Sequence, residues 1–349
     1  MFQLENLLRE NIRQLTPYSS ARDEFKGEAR IFLDANENSL GSPLTRWYNR
    51  YPDPLQWKLK EAIGLIKGVD PTNLFLGNGS DECIDLLYRA FCNPGKDNII
   101  INPPTYGMYE VSARINDVQI KKAPLLDNFQ LDLVHLENLV DDATKIIWIC
   151  SPNNPTGNAI DREDIEIVLN NFEGLVVIDE AYINFSRHKS FLQELGDYPN
   201  LVVLQTFSKA WGLAGLRLGM AFAAENIIDI LNRIKPPYNI NQSTQEIALT
   251  ALQEVGQVNE MIKLIVAMRD ELSVQLSSLP FVLKVYPSDA NFLLVKMSDA
   301  QSVYDHLLRE GIVVRNRSNV ELCAGCLRIT VGTDSENMGL ITALRHFSA

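Results

Sequence analysis

Long apolar runs are missing from this chain. No stretch reaches the roughly 18 apolar residues a membrane-spanning helix needs. The opening residues, MFQLENLLRENIRQL, carry charge throughout and have no apolar core of signal-peptide type. Basic residues are in deficit: 32 Lys and Arg stand against 44 Asp and Glu, a formal net charge of −12. Nucleic-acid binding needs a basic face, so no nucleic-acid partner is expected. Cysteine is sparse, five in 349 residues, which without a secretory leader fits a reducing cytoplasm. Cys323 and Cys326 form a lone CxxC with no second CxxC and no HxxxH to complete a zinc site. They read as small residues at the entry to a buried strand. The histidines His135, His188, His306 and His346 lie far apart, so no metal is expected.

Several nucleotide and hydrolase signatures are absent as well. Gly95-Lys96 is followed by Asp97 rather than Ser or Thr, so there is no P-loop. The GNG at 77–79 continues as Ser80-Asp81-Glu82, which breaks the dinucleotide pattern GxGxxG. Neither HExxH nor GxSxG occurs.

What is present is an ordinary globular balance, 46% hydrophobic and 22% charged, in a chain long enough for two domains. Apolar runs predict strands at 98–102 (NIIIN), 145–150 (KIIWIC), 175–179 (LVVID), 201–205 (LVVLQ) and 218–223 (LGMAFA). Several are apolar on successive residues, as in a mostly parallel sheet covered on both faces. Helical patterns lie between them. In 80–91 the residues Ile84, Leu87, Tyr88 and Phe91 share one stripe, and Asp161 opens a second helix with an acidic first turn. The composition shifts at Pro236-Pro237. Beyond it come a helical stretch over 243–277 interrupted near Gly256, short strands at 282–286, 291–296, 312–314 and 327–331, and helices around 303–309 and from Asp334 onward. The expected fold is α/β: a large domain, 31–236, with a mostly parallel sheet flanked by helices, and a smaller α+β domain, 237–349. Residues 1–30 are expected to form an arm packing with the small domain.

Four short stretches carry chemistry. GNGSDE at 77–82 opens a helix, and the free amides of Ser80 and Asp81 suit a phosphate. Taken alone, a plain strand-to-helix turn reads the same way. SPNNPTG at 151–157 follows a buried strand and places Asn153 and Asn154 at the carboxyl edge of the sheet, where α/β ligands bind; a proline-braced turn is the plainer alternative. Asp179 ends a buried strand, with Tyr182 three residues on, and must be paired or solvated there. TFSKAWGLAGLRLG at 206–219 sets Lys209 after Ser208 in an apolar segment, eight residues before Arg217. A lone lysine is normally solvated. One in an apolar pocket near another cation has a lowered pKa and becomes a nucleophilic amine.

In this order, SPNNPTG, VVIDEAY and SKxxxLAGLRLG resemble the fold-type-I pyridoxal-phosphate-dependent aminotransferases, and the resemblance runs over nearly the whole chain. LTPYSSAR at 15–22, LDANENS at 33–39, RYPDP at 50–54, SDANFLL at 288–294 and CLRITVGT at 326–333 resemble the histidinol-phosphate aminotransferase family more closely. The resemblance implies pyridoxal 5'-phosphate as cofactor, held covalently by Lys209, with Asp179 on its ring nitrogen and Asn154 and Tyr182 on its phenolic oxygen. Tyr106 would stack on the ring. Ser80, Asp81, Thr206, Ser208 and Arg217 would hold the cofactor phosphate, joined by Tyr51 from a partner subunit. That last role implies a homodimer with a shared active site.

The same resemblance assigns substrate binding to Tyr18, Asn36, Arg315 and Arg328. The implied substrates are histidinol phosphate and 2-oxoglutarate/glutamate, exchanged in a step of histidine biosynthesis in the cytoplasm. Aromatic-amino-acid aminotransferase and threonine-phosphate decarboxylase are the alternatives within the same superfamily. Transcription regulators with aminotransferase-like domains place a DNA-binding module ahead of the domain. About 30 residues precede LDANENS here, and the chain is acidic, which disfavours that reading.

Overall fold

A computed structural model of the chain describes residues 2–17, 31–44, 46 and 48–347. Tyr18 lies outside the described residues, as does most of the motif around it. In chain order the helices are α1 (Leu4–Leu7), α2 (Glu10–Arg13), α3 (Trp57–Lys67), α4 (Ser80–Phe91), α5 (Met108–Ile115), α6 (Leu133–Leu139), α7 (Arg162–Asn171), α8 (Glu225–Ile234), α9 (Gln242–Leu252), α10 (Val255–Ser277), α11 (Ala300–Arg309) and α12 (Asp334–Arg345). The strands of the larger sheet are β1 (Leu74–Asn78), β2 (Asn98–Ile101), β3 (Gln119–Lys122), β4 (Thr144–Cys150), β5 (Leu175–Asp179), β6 (Leu201–Thr206) and β7 (Leu218–Ala223). Those of the smaller sheet are β8 (Val282–Val285), β9 (Phe292–Met297), β10 (Arg315–Asn316) and β11 (Cys326–Thr330).

The larger sheet runs β1-β7-β6-β5-β4-β2-β3. β7 is antiparallel to both neighbours, and the pairs β6/β5, β5/β4, β4/β2 and β2/β3 are parallel. Successive residues of the central strands point to opposite faces, and both faces are covered. On one side Ile147, Val176, Val203 and Phe222 join residues of α3, α7 and α9. On the other Trp148, Val177, Val202 and Ala221 join α4, α5 and α8. Each fully buried side chain of this size contributes on the order of 1.5–3 kcal/mol. This double coverage explains the unbroken apolar runs in the sequence.

The smaller sheet, β10-β11-β9-β8, is antiparallel and segregates its faces. Leu293, Val295, Leu327 and Ile329 face a separate core with Leu272, Val303 and Leu344 from α10, α11 and α12. Phe292 and Leu294, on the opposite face, belong to clusters shared with the larger sheet. Asp289 accepts hydrogen bonds from the Ala159 amide (3.1 Å) and Ser186 Oγ (3.2 Å), and Arg269 donates to the carbonyls of Phe185 and Ala290. These contacts dock the second sheet beside the carboxyl edge of the first.

Two expectations change. The segment before residue 18 does not pack with the small domain: Leu4, Leu7 and Leu8, spaced i, i+3 and i+4, bury among the α4 and α8 side of the larger sheet, and Arg9 caps the end of α4 at Arg89 O (2.8 Å). No strand forms at 312–314, where Ile312 instead closes α11 through a hydrogen bond to Leu307 O; pairing starts at Arg315. The helical stretch is interrupted near Gly256 as expected, at Gln253-Glu254, with Gly256 in the first turn of α10.

Candidate active site

Strands β1 to β6 all run toward one edge of the larger sheet, and β7 starts there. That edge is where ligands bind in α/β folds. Its cavity is lined by Ser80 and Asp81 after β1, Tyr106 after β2, Cys150 and Asn154 after β4, Asp179 and Tyr182 at the end of β5, and Thr206, Ser208, Lys209 and Arg217 between β6 and β7.

Glycine makes the phosphate end possible. A Cβ on Gly219 would fall 2.1 Å from the Ser80 nitrogen, and one on Gly79 would fall 2.6 Å from Arg217 Nη2. Gly79 also adopts φ +77°, a left-handed value that favours glycine. The start of α4 can therefore press against the start of β7, with the Gly79 amide donating to Arg217 O at 2.6 Å. Arg217 donates through Nη2 to Asp81 Oδ2 (3.1 Å) and remains half exposed. Thr206 Oγ1 and Ser208 Oγ lie 3.0 Å apart, and the Ser208 amide donates to Thr206 Oγ1. Helix-start amides, two hydroxyls and a guanidinium converge as an anion site would require.

At the other end sits Asp179, 3% exposed. Its Oδ2 accepts a 2.6 Å hydrogen bond from Tyr109 Oη, and its Oδ1 accepts from the Ala181 amide. Burial pushes its pKa up, while those two hydrogen bonds and the charge of Lys209 pull it back. Lys209 Nζ lies 5.6 Å from the Tyr182 ring centroid. Its pKa is lowered, first by burial and then by the charges of Arg328 and Arg217, against the pull of Asp179. It is thus biased toward a neutral, nucleophilic amine. Burial raises the pKa of Tyr182. Tyr106 donates to Asp81 Oδ1 (3.0 Å) and meets Tyr109 edge-on.

Arg328, on β11, donates from Nη1 to Asn154 Oδ1 and lies over the Phe292 ring, centroid 5.2 Å away. Arg315 is its cross-strand partner on β10. Asn36 and Tyr51 are not at the Lys209 cavity. They line a second, surface recess with Tyr48, Arg50 and Tyr238, and Tyr51, half exposed, stacks on Tyr238 at 4.5 Å.

Two residues escaped the sequence reading. Tyr109 gives no signal of its own, because it looks like one more buried position in the first turn of a helix; only the packing of α5 against the sheet aims it at Asp179. Cys150 ends β4 fully buried and lines the same cavity, with nothing in its sequence setting it apart from a core cysteine.

These residues fit pyridoxal phosphate. The glycine-shaped anion site suits a phosphate, the buried Asp179 side chain suits a protonated ring nitrogen, and Lys209 lines the same cavity with a depressed pKa.

Comparison with known proteins agrees with the geometry. Residues 34–344 match the family "Aminotransferase class I and II". The chain is 56% identical over 346 residues to the histidinol-phosphate aminotransferase of Parabacteroides distasonis, covering 99% of each. It is similar to the crystal structure of histidinol-phosphate aminotransferase from Clostridium acetobutylicum, with TM-score 0.79 and 26% identity over 85% of this chain and 90% of that one. The enzyme from Sinorhizobium meliloti, solved in complex with pyridoxal-5'-phosphate, shares the fold with TM-score 0.78 at 23% identity, over 86% of this chain and 84% of that one.

Proposed function

The chain belongs to the class I and II aminotransferases, and on that premise we propose that it transfers the amino group between L-histidinol phosphate and 2-oxoglutarate, giving 3-(imidazol-4-yl)-2-oxopropyl phosphate and L-glutamate. The reaction is a step of histidine biosynthesis. The observation that carries this reading is 56% identity, over 99% of both chains, with the histidinol-phosphate aminotransferase of Parabacteroides distasonis.

Pyridoxal phosphate, when bound, supplies the electron sink that makes the donor's Cα proton acidic. The amides of Ser80 and Asp81, the hydroxyls of Thr206 and Ser208, and Arg217 would hold its phosphate. Asp179, whose charged form the hydrogen bonds from Tyr109 and the Ala181 amide favour against burial, would hold the proton on the ring nitrogen. Asn154 and Tyr182 would donate to the phenolic oxygen, and Tyr106 would cover a ring face. Lys209 would carry the cofactor covalently. Its released amine, whose pKa burial lowers, would move the proton between the donor's Cα and the cofactor's C4′. Arg328 and Arg315 would bind the anionic end of each substrate in turn, because both half-reactions use one site.

Tyr51 and Asn36 sit away from the Lys209 cavity of their own chain, so they would serve a partner's cavity in a homodimer. Among the described residues no helix is long and apolar enough to cross a membrane. The five buried cysteines, none bonded to another, fit a cytoplasmic setting.

A half-reaction panel tests the proposal. Enzyme mixed with histidinol phosphate, phenylalanine, tyrosine or threonine phosphate is followed by the cofactor's absorbance. Fastest conversion with histidinol phosphate is expected. Faster conversion with an aromatic amino acid, or release of carbon dioxide from threonine phosphate, would replace the assignment.

A further inference from the structure

The face of the smaller sheet that looks toward Lys209 holds more positive charge than a substrate carboxylate needs. Arg315 pairs with Arg328, and Asn316 with Leu327; one step on, the Arg317 amide donates to Cys326 O at 2.9 Å. Alternation along a strand then puts Arg315, Arg317, Cys326 and Arg328 on one face, the face that carries Phe292 and Leu294. Phe292 packs edge-on against Tyr182, so this face abuts the cofactor cavity. Arg317 is half-buried.

Like charges directly across a strand pair destabilise the sheet unless something neutralises them. Among the described residues no carboxylate does. Among the described residues Arg315, Arg317 and Arg328 form no ion pair, unlike Arg50, Arg162 or Arg217, and the trio's one side-chain hydrogen bond there is from Arg328 to the neutral Asn154. The Nε atoms of Arg317 and Arg328 are both buried without an acceptor. A buried guanidinium N–H left unmatched is costly unless a ligand completes it. Burial and the neighbouring arginines weaken the hold of Arg317 and Arg328 on their protons, the direction expected of charges held together without a counter-ion.

We propose that Arg317 is a third phosphate-recognising arginine, which completes with Arg315 and Arg328 a site matched to a phosphomonoester dianion rather than to a single carboxylate. The inference rests on the aminotransferase reading above and deepens it. Two guanidiniums suffice for a carboxylate with one charge. Three, sharing a face and lacking any acid, match an anion with nearly two charges and three acceptor oxygens. Arg317 thereby sets specificity for the phosphorylated amine donor, and contributes less when the pocket holds glutamate.

Histidinol phosphate and L-histidinol differ only in the phosphate, so their ratio reads the contact. Single-turnover half-reactions with each donor are measured for the wild type, Arg317→Met and Arg317→Lys, together with inhibition by inorganic phosphate competing with histidinol phosphate. The wild type should favour histidinol phosphate strongly. Arg317→Met should reduce that preference by about tenfold or more, the loss of one charge-assisted contact, and should weaken inhibition by inorganic phosphate comparably. Arg317→Lys, which retains charge without the fork, should recover part of both and covers the case in which the methionine variant does not fold. An unchanged preference and unchanged phosphate inhibition in a folded variant overturn the role of Arg317 while leaving the aminotransferase reading intact. A wild type that converts both donors equally overturns the histidinol-phosphate reading, and the inference falls with it.

Discussion

Tyr109 Oη donates a 2.6 Å hydrogen bond to Asp179 Oδ2 from a ring that is fully buried and stacked on Trp148, centroids 4.8 Å apart. The helix α5 thus orients the acid that ends β5 and favours its charged form against burial. Tyr109 touches none of the reacting atoms; it is a positioning residue. Replacing it with Phe keeps the stack and removes the hydrogen bond. Because that bond lowers the Asp179 pKa, its loss raises the pH below which Asp179 becomes neutral. In Tyr109→Phe, kcat should drop about tenfold with little change in KM, and the acid limb of the kcat profile should move to higher pH. An acid limb that stays where the wild type has it would show that Tyr109 only fills space.

Lys209→Ala should abolish multiple turnover while the protein still folds. The lysine sits in a link held at both ends, by Phe207 N to Leu218 O (3.0 Å) and Leu213 N to Phe207 O (3.0 Å). Truncation there removes an amine without opening the core. Borohydride treatment of the wild type followed by peptide mapping gives the direct check. A reduced pyridoxyl adduct on another lysine sinks the assignment.

Asp179→Asn should cost far more turnover than cofactor affinity. A neutral amide cannot keep the ring nitrogen protonated, and each tenfold loss of kcat corresponds to about 1.4 kcal/mol of barrier. Several such factors are expected. Stopped-flow turnover and cofactor dissociation, measured on one preparation, separate the two effects, and near-normal kcat would remove Asp179 from its role.

Subunit mixing examines the place of Tyr51. Lys209→Ala and Tyr51→Phe dimers, each impaired alone, should regain activity after exchange, because one site in each hybrid then carries neither defect. Confirmed exchange with no recovered activity argues against a tyrosine shared across the interface.

Lys60 offers a pH test of stability away from the site. It is 2% exposed, and burial first, then the charge of Lys235, lowers its pKa to about 8 from an ordinary 10.5. The unfolded chain therefore binds the extra proton more readily between those values. Lys60 destabilises the fold fully below pH 8, and the penalty fades as pH rises toward 10.5. Lys60→Met should raise the melting temperature at pH 7, with a gain that shrinks by pH 10. A gain independent of pH would mean packing, not charge, is responsible.

Much of this was visible in the residues themselves. The strands at 175–179 and 218–223 match their apolar runs residue for residue, since burial on both faces leaves a continuous signature. β1 and β3 went unseen: LFLGN ends in turn residues, and QIKK on the sheet's edge has no apolar run at all. The cavity's chemistry was legible where a short motif ends a strand, as at Asp179 and in the stretch 206–219. It was not legible where tertiary register decides, as for Tyr109, or for Arg317, whose face is fixed by the pairing of Arg315 with Arg328.

The reversed direction of β7 has a consequence for how such a chain can vary. β6 and its antiparallel neighbour are joined by residues 207–217, and this one short link holds the amine at Lys209 and ends on the guanidinium at Arg217. Both strands are pinned in a fixed ladder, so the link acts as a ruler between the proposed covalent anchor and the proposed phosphate clamp. An insertion of even one residue would displace one function relative to the other, and no side-chain change could restore the spacing. The loop between β3 and α6, tied to neither, has no such ruler. Natural and engineered length changes should collect in the second and be purged from the first.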